Sequence, residues 1–156
     1  MMISYVRGEF SGVSGVLKLD ESDYTRSTIV ASIPVANVKT VDEKLDTHLK
    51  NADFFDAENF PKITFESKSL RRGDKHLELV GDLTIRGTTR EVVLAIDGPT
   101  PEQTDPWGNV RIGASATTKI KRSDFNMTWN TVLEAGGVVV GDDISIALDV
   151  ELIKQK

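Results

Sequence analysis

The chain contains no cysteine, which excludes a disulfide, a thiol nucleophile and a thiolate metal site and leaves its redox compartment open. It also lacks any apolar run near the roughly 20 residues that cross a bilayer as a helix. Its opening residues, "MMISYVRGEF", have neither the basic nor the apolar region of a secretory signal. We therefore expect no membrane span and a cytoplasmic location, or a periplasmic one if the true start lies upstream.

Positive charge is in the minority. Lysine and arginine number 19 against 24 acidic residues, and the formal net charge is −5. Such a chain does not attract a phosphate backbone, and it has no basic face with interleaved aromatics, so we expect no nucleic-acid partner. Its length of 156 residues and its hydrophobic content of 39% predict a single folded domain over residues 1–156.

What the chain does have is a period-two alternation of apolar and polar residues, which is typical of half-buried strands. "PKITFESKSL", "HLELVGDLTIRG" and "DDISIALDVELIK" are examples. These runs predict seven or eight antiparallel strands, with one long bent strand from residue 3 to about 19 and a tight turn at "GTT". Several inward positions are small, which favours a barrel with a cavity over a filled sandwich. They are Ala31, Ser67, Gly81, Ala114, Ala116 and Thr118.

Only the segment "TVDEKLDTHLKNADFF" predicts an α-helix. Thr40, with Glu43 three residues later, matches a capping box. A second, short helical turn is expected after Ser123. Four of the six phenylalanines lie in residues 48–67, where the helix gives way to the next strand. Two interpretations stay open: the rings plug one end of the barrel as ordinary core, or they form a lid over an apolar pocket.

Motifs for catalysis and metal binding are missing. "SGVSG" lacks the spacing of a nucleophile elbow. The two histidines, His48 and His76, have no second ligand at helix spacing and are predicted to be solvated. Asp53, Asp56 and Glu58 lack the pattern of a calcium loop and are predicted to form a solvated helix end. We therefore expect no metal, no cofactor and no enzymatic activity.

Five sequence blocks, in order along almost the whole chain, resemble the YceI-like family. They are "FSGVSGVLKLD", "HLKNADFFDAENFPKITFES", "GDLTIRGTTREVVL", "IGASATTKIKRSDFNMTWN" and "DDISIALDVELIK". The resemblance implies an all-β fold, a lipocalin-like antiparallel barrel with one helical lid. It also implies an elongated apolar tunnel for a polyisoprenoid or similar long amphiphile, in a carrier or storage protein. Many members of the family are periplasmic or secreted.

One difference from the family is expected to affect assembly. Members of the family begin with an additional strand that ends where this chain starts, so the barrel is expected to lack its first strand. The neighbouring strands then expose their edges, which favours strand exchange or a homodimer formed edge to edge.

The tunnel is expected to be lined by inward alternates, with aromatic residues near its ends. The predicted ligand-binding residues are Phe10, Ile29, Ile33, Phe54, Phe55, Ile63, Phe65, Leu79, Leu83, Leu94, Ile112, Ala114, Phe125, Trp129, Ile146 and Leu148. A polyprenyl phosphate, an isoprenoid quinone or a similar lipid is the expected ligand. Basic side chains at the mouth are candidates to meet a charged head group. These are Arg7, Arg86, Arg90, Lys119 and Arg122. The alternative is a structural or stress-response barrel that binds nothing and has a packed interior.

Overall fold

A computed structural model describes residues 7–129 and 141–155 of the chain. This part of the chain contains eight strands and a single α-helix, α1, over Glu43–Lys50. The strands are β1 (Ser14–Lys18), β2 (Thr28–Pro34), β3 (Lys62–Arg72), β4 (Leu77–Ile85), β5 (Thr88–Asp97), β6 (Gln103–Thr104), β7 (Val110–Lys121) and β8 (Asp143–Ile153). Three short 3-10 helices lie at Tyr24–Arg26, Val35–Asn37 and Arg122–Phe125. The expected strand number and the helical turn near Ser123 are confirmed.

The strands form one antiparallel sheet in the order β1-β2-β3-β4-β5-β7-β8, with the short β6 beside the start of β7. β8 pairs with β7 from end to end, whereas β5 joins β7 only through Ala95, Ile96 and Asp97. Within the described residues, β1 and β8 are each paired along one edge only. The sheet is therefore not closed between β1 and β8.

The sheet curls around one apolar cluster. Residues from β3, β4 and β7 are buried there, and side chains from β2 and β8 pack against the same cluster. Because strands from both halves of the sheet converge on it, their shared face is concave, and we call it the inner face. This arrangement confirms the lipocalin-like antiparallel fold with one helix. The buried members are Val35, Ile63, Leu83, Ile85, Ile120, Phe125 and Met127.

The two ends of the sheet differ. At one end, β2, β4 and β7 finish and β3, β5 and β8 begin, and α1 and two 3-10 helices lie there. The buried cluster lies toward this end, which we call the closed end. The other end carries the connection between β1 and β2, the β3–β4 turn, the loop before β7 and the end of β8. We call it the open end, because inner-face residues near it stay half-exposed.

The β4–β5 turn lies one residue earlier than the sequence predicts. Arg86 and Gly87 both have positive φ, 51° and 71°, as a two-residue type I′ hairpin requires. A side chain at residue 87 would meet the ring of Phe60, whose Cε1 lies 2.6 Å from the ideal Cβ position. Glycine therefore allows the turn and leaves room for the ring of Phe60.

The predicted length of the first strand is wrong. The long first strand is limited to Ser14–Lys18, because Gly12 takes a φ of 80° and the chain before it forms only an isolated bridge from Glu9 to Lys39. Residues 1–6 lie outside the described part.

The helix cap predicted at Thr40 is wrong. The cap is Asp42, whose carboxylate accepts from the Lys44 N–H. The Thr40 hydroxyl lies before the helix and donates to the Asp46 carboxylate in its first turn.

Candidate functional site

The sixteen predicted ligand-binding residues fall into two groups by burial. Five are buried: Phe54, Ile63, Leu79, Leu83 and Phe125. Eleven keep part of their surface exposed: Phe10, Ile29, Ile33, Phe55, Phe65, Leu94, Ile112, Ala114, Trp129, Ile146 and Leu148. The strand members of both groups share the inner face, since directly paired residues on antiparallel strands point to the same side.

At the closed end the predicted lining is packed core. Phe125 is 1% exposed, and Ile63 and Leu83 are buried beside it in the apolar cluster. A second layer of half-buried side chains packs against them. That layer includes Phe10, Ile33, Phe55, Phe65 and Ile146. The interior is therefore filled at this end.

Toward the open end the inner face is apolar but less covered. Leu79 is buried and pairs with the half-exposed Leu94, and Ala116 is buried and pairs with the half-exposed Leu148. Ile29, Ile112 and Ala114 also remain half-exposed on the same face. We call these last three residues, with Leu94 and Leu148, the inner groove. It is a concave apolar surface that the described residues leave partly open to solvent.

One of the small inward residues does not leave empty space. The Cζ atom of Phe65 lies against the position that a Gly81 Cβ would occupy. The ring therefore lies across the glycine on the neighbouring strand. Ser67 is also occupied, because its hydroxyl accepts from the Ile29 N–H at 2.8 Å. Ala114 is the small inward residue that stays within the inner groove.

The phenylalanines after α1 close one end of the sheet. Phe55 meets Phe10 edge to face, with ring centroids 5.6 Å apart. Phe54, which is 6% exposed, packs against His48 and Trp129 at centroid distances of 4.9 and 5.4 Å. These contacts favour the interpretation as a core plug.

His48 is not the solvated histidine that the sequence predicts. Its ring lies 4.7 Å from that of Trp129, nearly perpendicular to it, and its Nε2 lies 3.0 Å from the Asp53 carboxylate. The prediction failed because Trp129 is 81 residues away in sequence and only the fold brings the two rings together. His76 is exposed, as expected.

The arginines near the closed end bind backbone carbonyls. Arg122, a candidate to meet a head group, is 5% exposed. Its guanidinium donates to the carbonyls of Gly141, Met127 and Trp129 at 2.6–2.8 Å. Arg86 donates to the Asn126 carbonyl and Arg90 to the Asp124 carbonyl. These three arginines fasten the loop after β7 to the sheet, whereas Arg7 and Lys119 are exposed.

A shallow concavity of about 350 Å³ lies along β7 and β8. It is found where β5 and β7 stop pairing, and there the Thr118 hydroxyl donates to the Val93 carbonyl at 3.0 Å. Its lining includes Ile146 of the predicted site. Four of its six lining residues lie on the outer face, so the concavity is separate from the inner groove; they are Thr117, Lys119, Ser145 and Ala147.

The described residues offer little for catalysis. No group of three or more His, Asp or Glu within residues 7–129 and 141–155 could hold a metal ion. In the strands that the structure describes, the register places no Asp, Glu or His on the inner face. The described helices include none long and apolar enough to cross a membrane.

Known proteins with related sequences and structures cover nearly all of the chain. A UPF0312 protein of Staphylococcus aureus (strain N315) is 32% identical over 151 residues, which are 97% of this chain and 86% of that protein. The crystal structure of the Campylobacter jejuni YceI protein superposes with a TM-score of 0.82 at 30% identity, covering 100% of this chain and 89% of that one.

A more distant likeness supports the fold alone. Burkholderia cenocepacia BcnA matches with a TM-score of 0.77 at 22% identity, over 93% of this chain and 86% of that one.

The sequence model of the YceI-like domain family matches residues 1–152. The chain therefore belongs to the YceI-like family.

Proposed function

We propose that this protein binds a long-chain isoprenoid-type lipid along its inner face, as a carrier or storage protein. The ligand is a polyprenyl phosphate, an isoprenoid quinone or a similar amphiphile. The observation that carries the proposal is the inner groove, an apolar concave surface that the described residues do not fill. Membership in a family of binding proteins supports the same assignment.

Burial energetics favour an oily ligand. Each methylene removed from water contributes about 0.8 kcal/mol, so a chain of several isoprene units needs no polar contact to bind firmly. The half-exposed Ile29, Leu94 and Leu148 would lose their remaining contact with water at the same time. Binding along the groove therefore stabilises both the ligand and the sheet.

A polar head group is best accommodated at the open end. The register pairs Arg72 with Leu77, so its side chain shares the inner face where the groove reaches solvent. Arg86, Arg90 and Arg122 lie at the other end and already donate to carbonyls. A phosphate head group would therefore meet Arg72, whereas a quinone would not depend on it.

A pair of matched substitutions tests the proposal. Ala114→Trp fills the inner groove, and Ala147→Trp places the same side chain on the exposed outer face of β8. Displacing only two methylenes of a ligand costs about 1.6 kcal/mol, or about fifteenfold in affinity. We expect Ala114→Trp to weaken isoprenoid quinone uptake by at least that factor, with Ala147→Trp unchanged. Equal uptake by both variants would show that the ligand does not use the groove.

The alternative, a structural barrel with a packed interior, has support at the closed end. There Phe125, Met127 and Val35 are almost completely buried. This alternative requires that neither variant change a binding signal, because no lipid binds at all. Quinone uptake by the unmodified protein therefore supports the carrier, and its absence supports the structural barrel.

We also propose that the free edges of β1 and β8 pair with a strand from a second copy. Each edge leaves backbone donors and acceptors without a strand partner in the described residues, and such edges favour association. Light scattering across a concentration series tests this. A monomer at every concentration would contradict it.

A further inference from the structure

We propose that the open end docks on the surface of an uncharged lipid bilayer, with Trp107 as its principal anchor. This inference rests on the proposed function, because a lipid carrier must meet the membrane that holds its ligand. It adds the place and the orientation of that encounter.

Trp107 is held in an exposed position by a rigid turn. Its side chain is 81% exposed. The Asp105 carboxylate accepts from the N–H groups of Trp107 and Asn109, both at 2.9 Å, and the Asp105 and Asn109 backbones also pair at 2.9 Å. The exposure is therefore built into the turn, which presents a large apolar ring with a polar N–H at its edge. Such amphipathic rings favour the bilayer interface.

The Asp105 carboxylate, which supports the turn of Trp107, is paired with an arginine. Arg111 contacts the Asp105 carboxylate at 2.6 Å and reaches Glu151 on β8 at 3.3 Å. The Arg111 guanidinium holds the pKa of the Asp105 carboxyl below its ordinary value, so this pair stays ionised at neutral pH. Bringing a paired carboxylate close to the interface costs less desolvation free energy than bringing a lone carboxylate there.

Other exposed apolar side chains lie at the same end. Leu19 and Tyr24, in the connection between β1 and β2, are 38% and 43% exposed, and Ile153 at the end of β8 is 44% exposed. Ile153 pairs directly with Arg111, which ties it to the turn that carries Trp107. Together with Trp107, these residues place apolar surface on the β1–β2 connection, the loop before β7 and the end of β8.

The distribution favours a bilayer over a protein partner. The apolar side chains lie on two loops and one strand end, beside the place where the inner groove reaches solvent. A lipid leaving a membrane there would pass directly onto an apolar surface. The net charge of −5 disfavours attraction to anionic lipid, so the expected surface is neutral phosphatidylcholine.

Tryptophan fluorescence tests the orientation, because the chain has only two tryptophans and they lie at opposite ends. Trp129 packs with His48 and Phe54 at the closed end. With phosphatidylcholine vesicles carrying brominated chains, we expect quenching of Trp107 in Trp129→Phe and none of Trp129 in Trp107→Phe. If Trp129→Phe does not fold, the difference between wild type and Trp107→Phe gives the Trp107 signal.

Co-sedimentation with the same vesicles supplies the quantitative test. Trp107→Ser should partition about tenfold or more weakly, which corresponds to the loss of one large buried side chain. Val41→Ser is the matched control, since Val41 is fully exposed near α1 at the closed end and its loss should change nothing. Adding anionic phosphatidylglycerol should not strengthen binding.

The docking proposal is overturned if Trp107 is not quenched, or if Trp107→Ser and wild type partition equally. It is also overturned if the protein sediments with vesicles only when another protein is bound to them. Quinone uptake from detergent micelles separates this failure from failure of the proposed function. Trp107→Ser should take up quinone from micelles at the wild-type level. Vesicle docking without any quinone uptake would leave the docking and remove the carrier function.

Discussion

The ring of Phe65 on β3 lies across Gly81 on β4, with its Cζ where a Gly81 Cβ would otherwise lie. The register pairs Gly81 with Ser67, one step from the Phe65–Leu83 pair, so the ring leans along the inner face. The close approach depends on the absence of a side chain at residue 81. It turns a position that looks empty in the sequence into part of the packed interior.

Gly81→Ala should therefore destabilise the protein. The added methyl overlaps both Phe65 and the Glu66 carbonyl, 2.7 Å from the Cβ position, and overpacking of this kind costs about 1–3 kcal/mol. Gly113→Ala is the matched control, because its nearest atoms are 3.7 Å away. Urea unfolding measures both. Equal midpoints for the two variants would contradict this account of Phe65.

Arg122→Ala should be more damaging than its place in a loop implies. The substitution leaves the carbonyls of Gly141, Met127 and Trp129 without their guanidinium donor, at an expected cost of about 2–4 kcal/mol in the free energy of unfolding. Arg90→Ala removes one exposed bond to the Asp124 carbonyl and should cost about 1 kcal/mol or less. A similar loss for both would mean that burial of Arg122 does not stabilise the fold.

These residues mark how far the sequence predicts the structure. Alternation identifies the strands and the inner face because it is a local, periodic property. The partners of His48, Gly81 and Arg122 are set by contacts between segments distant in sequence, so no local pattern reveals them. The cap is Asp42 and not Thr40, and since both residue types suit that position, only the backbone decides between them.

The candidate site divides in the same way. The sequence identifies which side chains share the inner face, and the fold places all the strand members there. Whether Ile63 is packed core or Ile112 is open surface depends on where each lies along the sheet. The exposure of Trp107 follows from hydrogen bonds to Asp105, and "TPEQTDPWGN" reads only as a loop.

Acid should weaken the turn that carries Trp107. The hydrogen bond from Arg111 is the main cause of the lowered pKa of Asp105. A lowered folded-state pKa means that this stabilisation is complete above the unfolded value of about 3.9 and is lost as the pH falls through the folded pKa. Asp105→Asn should thus be less stable than wild type at pH 7, with the difference narrowing below about pH 4. A difference that stays constant with pH would contradict the role of the ion pair.

Charge reversal at the open end should distinguish classes of ligand. Arg72→Glu places an acid on the inner face and should weaken binding of a polyprenyl phosphate about tenfold, since a charged hydrogen bond is worth about 1.5–3 kcal/mol. Quinone binding should not change. Arg71→Glu is the control, because Arg71 pairs with Glu78 and points away from the groove. Equal effects of both variants on the phosphate ligand would assign the head group elsewhere.

The central claim is that the inner groove holds a lipid. Native mass spectrometry of protein purified without detergent tests it most directly, followed by extraction and identification of whatever is bound. We expect a noncovalent adduct with the mass of a long-chain isoprenoid lipid. Protein that emerges lipid-free, and that takes up neither isoprenoid quinone nor prenyl phosphate when these are supplied, would contradict the claim.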